Sequence, residues 1–172
     1  QYLRDAEKEA AWRVLGTRGR VLDVASEANV TRGLDAEEVV RLDFSEASID
    51  HARETLGDEV TRYERVEPEA PVLPFPADYF DGGVCIGPYD WRFLDVEALT
   101  AEVRRVTAPD GLFVFSLPTP RSPYETGGKF EQRYYTPEEA RGLLDPGWEL
   151  ADYELVYQHP YWLHSKLAMA PP

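Results

Sequence analysis

Two carboxylates stand where an apolar run gives way to a loop. Val21-Leu22-Asp23-Val24 is a short apolar stretch carrying one acid, and Val39-Val40-Arg41-Leu42-Asp43-Phe44 is a second stretch that closes on another. Such a pattern is how a buried strand hands over to a ligand-binding loop. A glycine-rich turn is expected after the first, because only backbone without Cβ atoms lets a ligand lie against the strand ends. No glycine is there: Asp23 is followed by Val24-Ala25-Ser26-Glu27-Ala28-Asn29-Val30-Thr31. The competing structural role for Asp23 is to tie down this loop. For Asp43 it is to cap the helix that follows.

The remaining reactive side chains carry weaker signals. Cys85 is the only cysteine, lies in an apolar run and reads as a small core residue rather than a nucleophile. His51 falls on a solvated helix, and His159 and His164 flank an aromatic run; without a third ligand no metal site is expected. Tyr89, Trp91, Tyr134 and Tyr135 either line an apolar substrate pocket or pack at a sheet edge. Asn29-Val30-Thr31 is formally a glycosylation sequon, read here as chance, with Thr31 capping a short helix instead.

The elements that must position these residues follow from periodicity. Residues 4–15 place Ala6, Ala10, Ala11, Val14 and Leu15 near one helical face, and Gly16 and Gly19 break that helix before the first strand. After the second strand, Ser45 caps a helix that runs to Gly57. Residues 63–66 form a short third strand, and the proline-rich stretch 68–76 is loop. A fourth strand covers 83–86 and a helix covers 96–106, with Leu99, Val103 and Val106 at helical spacing. Pro109-Asp110-Gly111 is expected as a tight turn into a fifth strand at 112–117. Residues 118–129, rich in Pro, Gly, Ser and Thr, suit a lid or substrate loop. Thr136 caps a helix to about 144, and two apolar runs, 148–158 and 161–169, are expected to pair as an antiparallel hairpin. Strands alternating with helices predict an α/β fold: a doubly wound, mostly parallel sheet with an antiparallel C-terminal hairpin, in one domain spanning 1–172.

This order of signals resembles the class I S-adenosylmethionine-dependent methyltransferases of the small-molecule type, whose sheet is Rossmann-like. Val21-Leu22-Asp23-Val24 resembles the family's first strand, and Val40-Arg41-Leu42-Asp43-Phe44-Ser45 its second. Pro68-Glu69-Ala70-Pro71-Val72-Leu73-Pro74-Phe75 is similar to the segment after strand three, and Phe80-Asp81 to the entry into strand four. Glu102-Val103-Arg104-Arg105-Val106 with Pro109-Asp110-Gly111 resembles the approach to strand five, and Arg133-Tyr134-Tyr135-Thr136-Pro137-Glu138-Glu139 a segment of the small-molecule members.

The resemblance implies cofactor contacts at Asp23, Ala25, Asp43, Phe44, Glu69, Ala70 and Ile86, with Asp43 on the ribose hydroxyls and Glu69 and Ala70 toward adenine. It implies substrate contacts at Tyr89, Trp91 and Tyr134. A carboxylate suits a vicinal diol because it accepts two hydrogen bonds at once. Ile86-Gly87-Pro88-Tyr89 stands where amino-group methyltransferases carry Asn/Asp-Pro-Pro-Tyr, and Ile86 lacks the oxygen that would hold a target nitrogen. A small molecule is therefore the expected acceptor. No general base is identified, and methyl transfer from a sulfonium relies chiefly on alignment.

The chain departs from the family at the first loop, where the glycine positions fall on Ala25, Glu27 and Asn29. Glu27 adds a charge near the cofactor's own carboxylate, and like charges in a partly desolvated site are costly. The span from Asp23 to Asp43 is short for the family, which predicts a first crossover helix cut to a turn or two. S-adenosylmethionine is thus expected to bind weakly or not at all. The alternative function is a catalytically inactive domain with a binding or regulatory role. A nicotinamide dehydrogenase is excluded by the absence of Gly-x-Gly-x-x-Gly after strand one.

Composition bounds the partners. The 172 residues are 43% hydrophobic and carry a net charge of −14, from 32 acids against 18 bases. A chain of this length buries a full core. Its charge repels phosphate backbones, so nucleic acid is not an expected partner. No apolar stretch reaches a membrane span and no signal peptide is visible, so a cytoplasmic location is expected. The chain begins at Gln1 and not at Met, and a trimmed natural N-terminus is the expectation. Three of the bases are lysine (Lys8, Lys129, Lys166) and the rest arginine. An acid-rich, lysine-poor surface is the pattern of halophilic proteins, in which salt screens self-repulsion. The melting temperature is expected to rise between low and molar KCl; a flat or falling trend would count against a halophilic origin.

Overall fold

The computed structural model describes residues 2–16, 18–26, 30–57, 60–120, 133–144 and 147–153. Five strands form one sheet: β1 (Arg18–Val24), β2 (Ala36–Asp43), β3 (Arg62–Arg65), β4 (Phe80–Cys85) and β5 (Thr107–Phe115). Their order is β3-β2-β1-β4-β5, and every neighbouring pair is parallel. The helices are α1 (Tyr2–Leu15), α2 (Glu46–Leu56), α3 (Val96–Val106) and α4 (Pro137–Leu144), with a 3-10 turn at Pro88–Asp90. Among the described residues no helix is long and apolar enough to cross a membrane.

Alternation along the strands decides which helix covers which face. Val21 and Val84 face Ala11 and Leu15 of α1, while Val39 faces Ala52 and Leu56 of α2. Leu22, Val24, Val40, Leu42 and Phe80 point to the other face and meet Val96, Leu99, Val103 and Val106 of α3. Helices α2, α3 and α4 start where their cap residues stand. The Ser45 side chain accepts from Ser48 N at 3.1 Å and that of Asp95 from Ala98 N at 2.9 Å. At α4, Thr136 and Glu139 form a reciprocal capping box: Glu139 N donates to Thr136 Oγ1 and Thr136 N to Glu139 Oε2.

Beneath the sheet's N-terminal edge, two stacked rings between two cations tie the proline-rich loop to the strands. Arg20 lies 4.5 Å over the Tyr79 ring, Tyr79 stacks on Phe75 at 5.6 Å, and Arg62 covers Phe75 at 4.9 Å. Arg105 donates to the carbonyls of Leu73 and Phe75 and holds the same loop against α3.

The structure corrects the expected fifth strand. Pro109-Asp110-Gly111 is not a turn before β5 but lies inside it, at a register shift: Phe80 pairs with Thr107, and Gly82 next with Leu112. The extra residues are accommodated as an irregularity of the ladder, where Pro109 has no N–H to contribute. A Cβ on Gly111 would lie 2.6 Å from Thr107 Cγ2 and 2.9 Å from the Ala108 carbonyl, which is why the bulge takes glycine. Of the expected C-terminal hairpin, residues 148–153 form no strand, and the stretch from 154 onward lies outside the described residues, as does most of the expected lid.

Gly83 is the second glycine whose lack of a side chain is required. A Cβ there would sit 2.5 Å from the Phe113 ring and 2.8 Å from the Leu22 carbonyl. The ring can tilt away, whereas the backbone oxygen of a central strand cannot. Gly83→Ala is expected to cost about 1–3 kcal/mol by overpacking, read as a lower urea midpoint; an unchanged midpoint would refute this packing.

Candidate functional site

The ends of β1, β2 and β4 come together at the C-terminal edge of the sheet. There the strand order reverses between β1 and β4, and open α/β sheets bind ligands at that place. The connection from β1 to β2 occupies only residues 25–35. Its described part is a turn at 30–33, with no helix. The expectation of a shortened crossover holds for these residues. Helix α1 covers the turn: Trp12 Nε1 donates to the Val30 carbonyl at 2.8 Å, and Lys8 Nζ to that of Arg32 at 3.0 Å.

Three charged side chains lie on one face here. Register pairs Asp23 with Arg41 across β1 and β2, and the period of two puts Asp43 on the same side. Arg41 Nη1 donates to Asp23 Oδ2 at 3.0 Å and to the Ser26 carbonyl at 2.8 Å, and Nη2 donates to Asp43 Oδ2 at 3.3 Å. Asp23 is fully buried and Arg41 and Asp43 nearly so. Burial alone would lower the pKa of Arg41, but the charges of Asp23 and Asp43 outweigh it and raise it above the ordinary guanidinium value. Asp23 also accepts from Ser26 N at 3.0 Å and Thr31 Oγ1 at 2.8 Å, so Thr31 caps no helix.

The first loop keeps a sharp turn without glycine. Ala25 has φ of +48°, its side chain is buried, and its N–H donates to the Leu42 carbonyl at 2.7 Å. A left-handed alanine costs on the order of 1 kcal/mol, offset here by the contacts of the loop. Ser26 Oγ accepts from Ile86 N at 3.1 Å and so joins the loop to the end of β4. Glu27 and Asn29 lie outside the described residues.

Asp43 Oδ1 accepts from Phe44 N at 2.7 Å, and the Asp43 carbonyl accepts from Val66 N at 3.0 Å at the end of β3. Phe44 meets the edge of Trp91 at 5.8 Å, and Trp91 stacks on the half-exposed Phe93 at 5.3 Å. Glu69 and Ala70 are exposed in a turn, and the neighbouring Pro68 carbonyl accepts from Asp95 N at the start of α3.

Tyr89 packs as core: its ring stacks on Phe115 and its hydroxyl shares a 2.9 Å hydrogen bond with Thr100. Burial pushes the Tyr89 phenol and the Cys85 thiol up, so neither is an acid or nucleophile near neutral pH. Tyr135 is also buried and donates to the Tyr89 carbonyl at 2.8 Å, which leaves Tyr134, beside it, partly exposed. His51 is exposed on α2, and His159 and His164 lie outside the described residues. Arg41, Ser26 and Thr31 were not assigned functional roles from the sequence. The available signal was a cation inside an apolar strand, two residues from an acid on the same face.

A model of the methyltransferase domain matches residues 13–115, which include β1 through β5. None of the curated protein sequences matches the chain. Among solved structures, PH0226 protein from Pyrococcus horikoshii is 29% identical with a TM-score of 0.53, over 65% of this chain and 56% of its own. The 1,6-didemethyltoxoflavin-N1-methyltransferase of Burkholderia thailandensis, with bound S-adenosylhomocysteine, is 20% identical with a TM-score of 0.62, over 83% and 65%. Geranyl diphosphate C-methyltransferase of Streptomyces coelicolor is 18% identical with a TM-score of 0.60, over 81% and 56%. The chain thus spans little more than half the length of the Pyrococcus and Streptomyces proteins, and the likeness to the Burkholderia and Streptomyces proteins is one of fold. With the family model running through the whole sheet and both acid-tipped strands, the chain belongs to the class I S-adenosylmethionine-dependent methyltransferase family.

Proposed function

We propose that this domain holds S-adenosylmethionine at the C-terminal edge of its sheet and directs its methyl group to a small molecule. The observation that carries the reading is Asp43, a carboxylate at the tip of β2 beside the point where the strand order reverses. The residues present fit the adenosyl half. Asp43 has about four acceptor positions, of which Phe44 N–H and Arg41 take two. Among the described residues one remains on each oxygen for the two hydroxyls of a ribose. Phe44 offers an apolar neighbour to a base, and the Glu69–Ala70 turn is exposed. Ala25 keeps the left-handed turn that a glycine would take, and the Ile86 N–H ties that loop to the end of β4 through Ser26.

When bound, the cofactor supplies an electrophilic methyl on a sulfonium. The chain's own contribution is placement: Asp43 fixes the sugar, while Trp91, Phe93 and Tyr134 present aromatic surface to an apolar acceptor. The charge of −14 supports a small acceptor over a nucleic acid. It also supports a high-salt cytoplasmic setting.

A second reading, a domain that binds without transferring, is favoured by the closure of Asp43, whose side chain is only 6% exposed. Calorimetric titration with S-adenosylhomocysteine at high salt tests both. Heat of binding from the wild-type protein supports a cofactor site, and its absence for both S-adenosylhomocysteine and adenosine would refute one. Methylation of no acceptor by a protein that binds would leave the second reading.

A further inference from the structure

We propose that Arg41 is a positioning residue for the cofactor's sugar, holding the Asp43 carboxylate in place while pinning the loop after β1. The inference rests on the ribose role given to Asp43 above. It begins from the unequal way the two acids are used. Asp23 accepts three hydrogen bonds, from Ser26 N, Thr31 Oγ1 and Arg41 Nη1, and has no exposed surface. Among the described residues Asp43 accepts two side-chain hydrogen bonds, one on each oxygen, with a further acceptor position on each. Asp23 and the Ser26 carbonyl occupy only Nη1 of the Arg41 guanidinium. Its second arm reaches 3.3 Å to Asp43, the acid with acceptor capacity left over.

The planar fork makes the coupling geometric. Nη1 is fixed by Asp23 Oδ2 and the Ser26 carbonyl, so the plane of the guanidinium is set by the β1 loop, and Nη2 then has one direction available. Phe44 N–H holds Asp43 Oδ1 and Arg41 holds Oδ2. With both oxygens held, the carboxylate cannot rotate about its terminal bond, and its two free acceptor positions stay paired for a vicinal diol. Without Arg41 only Oδ1 is restrained, and the pairing is lost. Arg41 is itself 7% exposed, so it acts through Asp43 and not by touching solvent-borne ligand.

The test is the preference for a complete ribose. The dissociation constants of adenosine, 2′-deoxyadenosine and 3′-deoxyadenosine are measured calorimetrically for the wild type, Arg41→Lys, and the charge-balanced double variant Asp23→Asn/Arg41→Gln. The second variant guards against unfolding, because it removes one charge of each sign. Far-UV circular dichroism confirms that each is folded. The wild type is expected to prefer adenosine by about tenfold or more over either deoxynucleoside. The folded Arg41 variants are expected to hold that preference to within about threefold of unity, as Asp43→Asn should. A merely structural Arg41 would lower stability and leave the ratio unchanged, so a folded Arg41 variant with the wild-type ratio overturns the inference. A wild type that shows no preference overturns the ribose reading itself, and this inference with it; that failure appears in the unmodified protein and so is distinct from the first.

Discussion

Arg41→Met is expected to destabilise the domain by about 3–5 kcal/mol, the cost of breaking a buried ion pair from one side. A domain of this kind has only about 5–15 kcal/mol in total. Methionine fills much of the same volume, so the effect is electrostatic more than steric. Asp23 would be left fully buried with no counter-charge among the described residues, and the Ser26 carbonyl would lose its Arg41 donor. Asp43 would lose its Arg41 partner as well. The companion variant Asp23→Asn/Arg41→Met/Asp43→Asn removes all three charges and is expected to recover more than half of the loss, since buried charges, once gone, no longer need partners. Urea denaturation of the three proteins measures this directly. An Arg41→Met protein within about 1 kcal/mol of wild type would show that the triad is hydrated and contributes little.

The same residue marks where the sequence was legible and where it was not. Periodicity located α3 at 96–106, as observed, because its buried positions Val96, Leu99, Val103 and Val106 recur at helical spacing. Caps fixed the starts of α2 and α4, because the side-chain acceptors of Ser45 and Thr136 act on backbone three residues away. Strand starts were set too late: β1, β2 and β4 begin three residues before the apolar runs. Residues such as Arg20, Glu38 and Gly82 are in the ladder through backbone pairing, which needs no apolar side chain.

The β5 irregularity was hidden for the complementary reason, since Pro-Asp-Gly has turn chemistry whether it sits beside a strand or within a bulge. Tyr89 read as a wall of a substrate pocket by resemblance, yet the hydroxyl partner that lets it pack as core is Thr100, a turn into α3. That pairing depends on how the 3-10 turn at Pro88–Asp90 docks, which no local pattern encodes. The triad needed the register of β1 against β2, a long-range fact, although Arg41 and Asp43 alone already shared a face by alternation.

Asp43→Asn is expected to weaken adenosine and S-adenosylhomocysteine by the same factor, about 10- to 150-fold. The change exchanges a charged acceptor for a neutral one at the sugar, and hydrogen bonds to charged groups contribute about 1.5–3 kcal/mol; each 1.4 kcal/mol is about tenfold. The backbone is spared, since an asparagine oxygen can still accept from Phe44 N–H in place of Oδ1. Its amide nitrogen would then oppose Arg41 Nη2, donor against donor, and lower stability by about 1 kcal/mol, while Arg41 keeps Asp23 and the Ser26 carbonyl. Affinity is therefore expected to fall further than stability. Equality of the two losses is the discriminating part: the ribose is common to both ligands, so an effect confined to it cannot distinguish them. A loss seen with S-adenosylhomocysteine alone would place Asp43 on the amino-acid half and move the sugar elsewhere along the sheet edge. No loss with either would leave Asp43 as a partner of Arg41 only, and the ribose would need another acceptor.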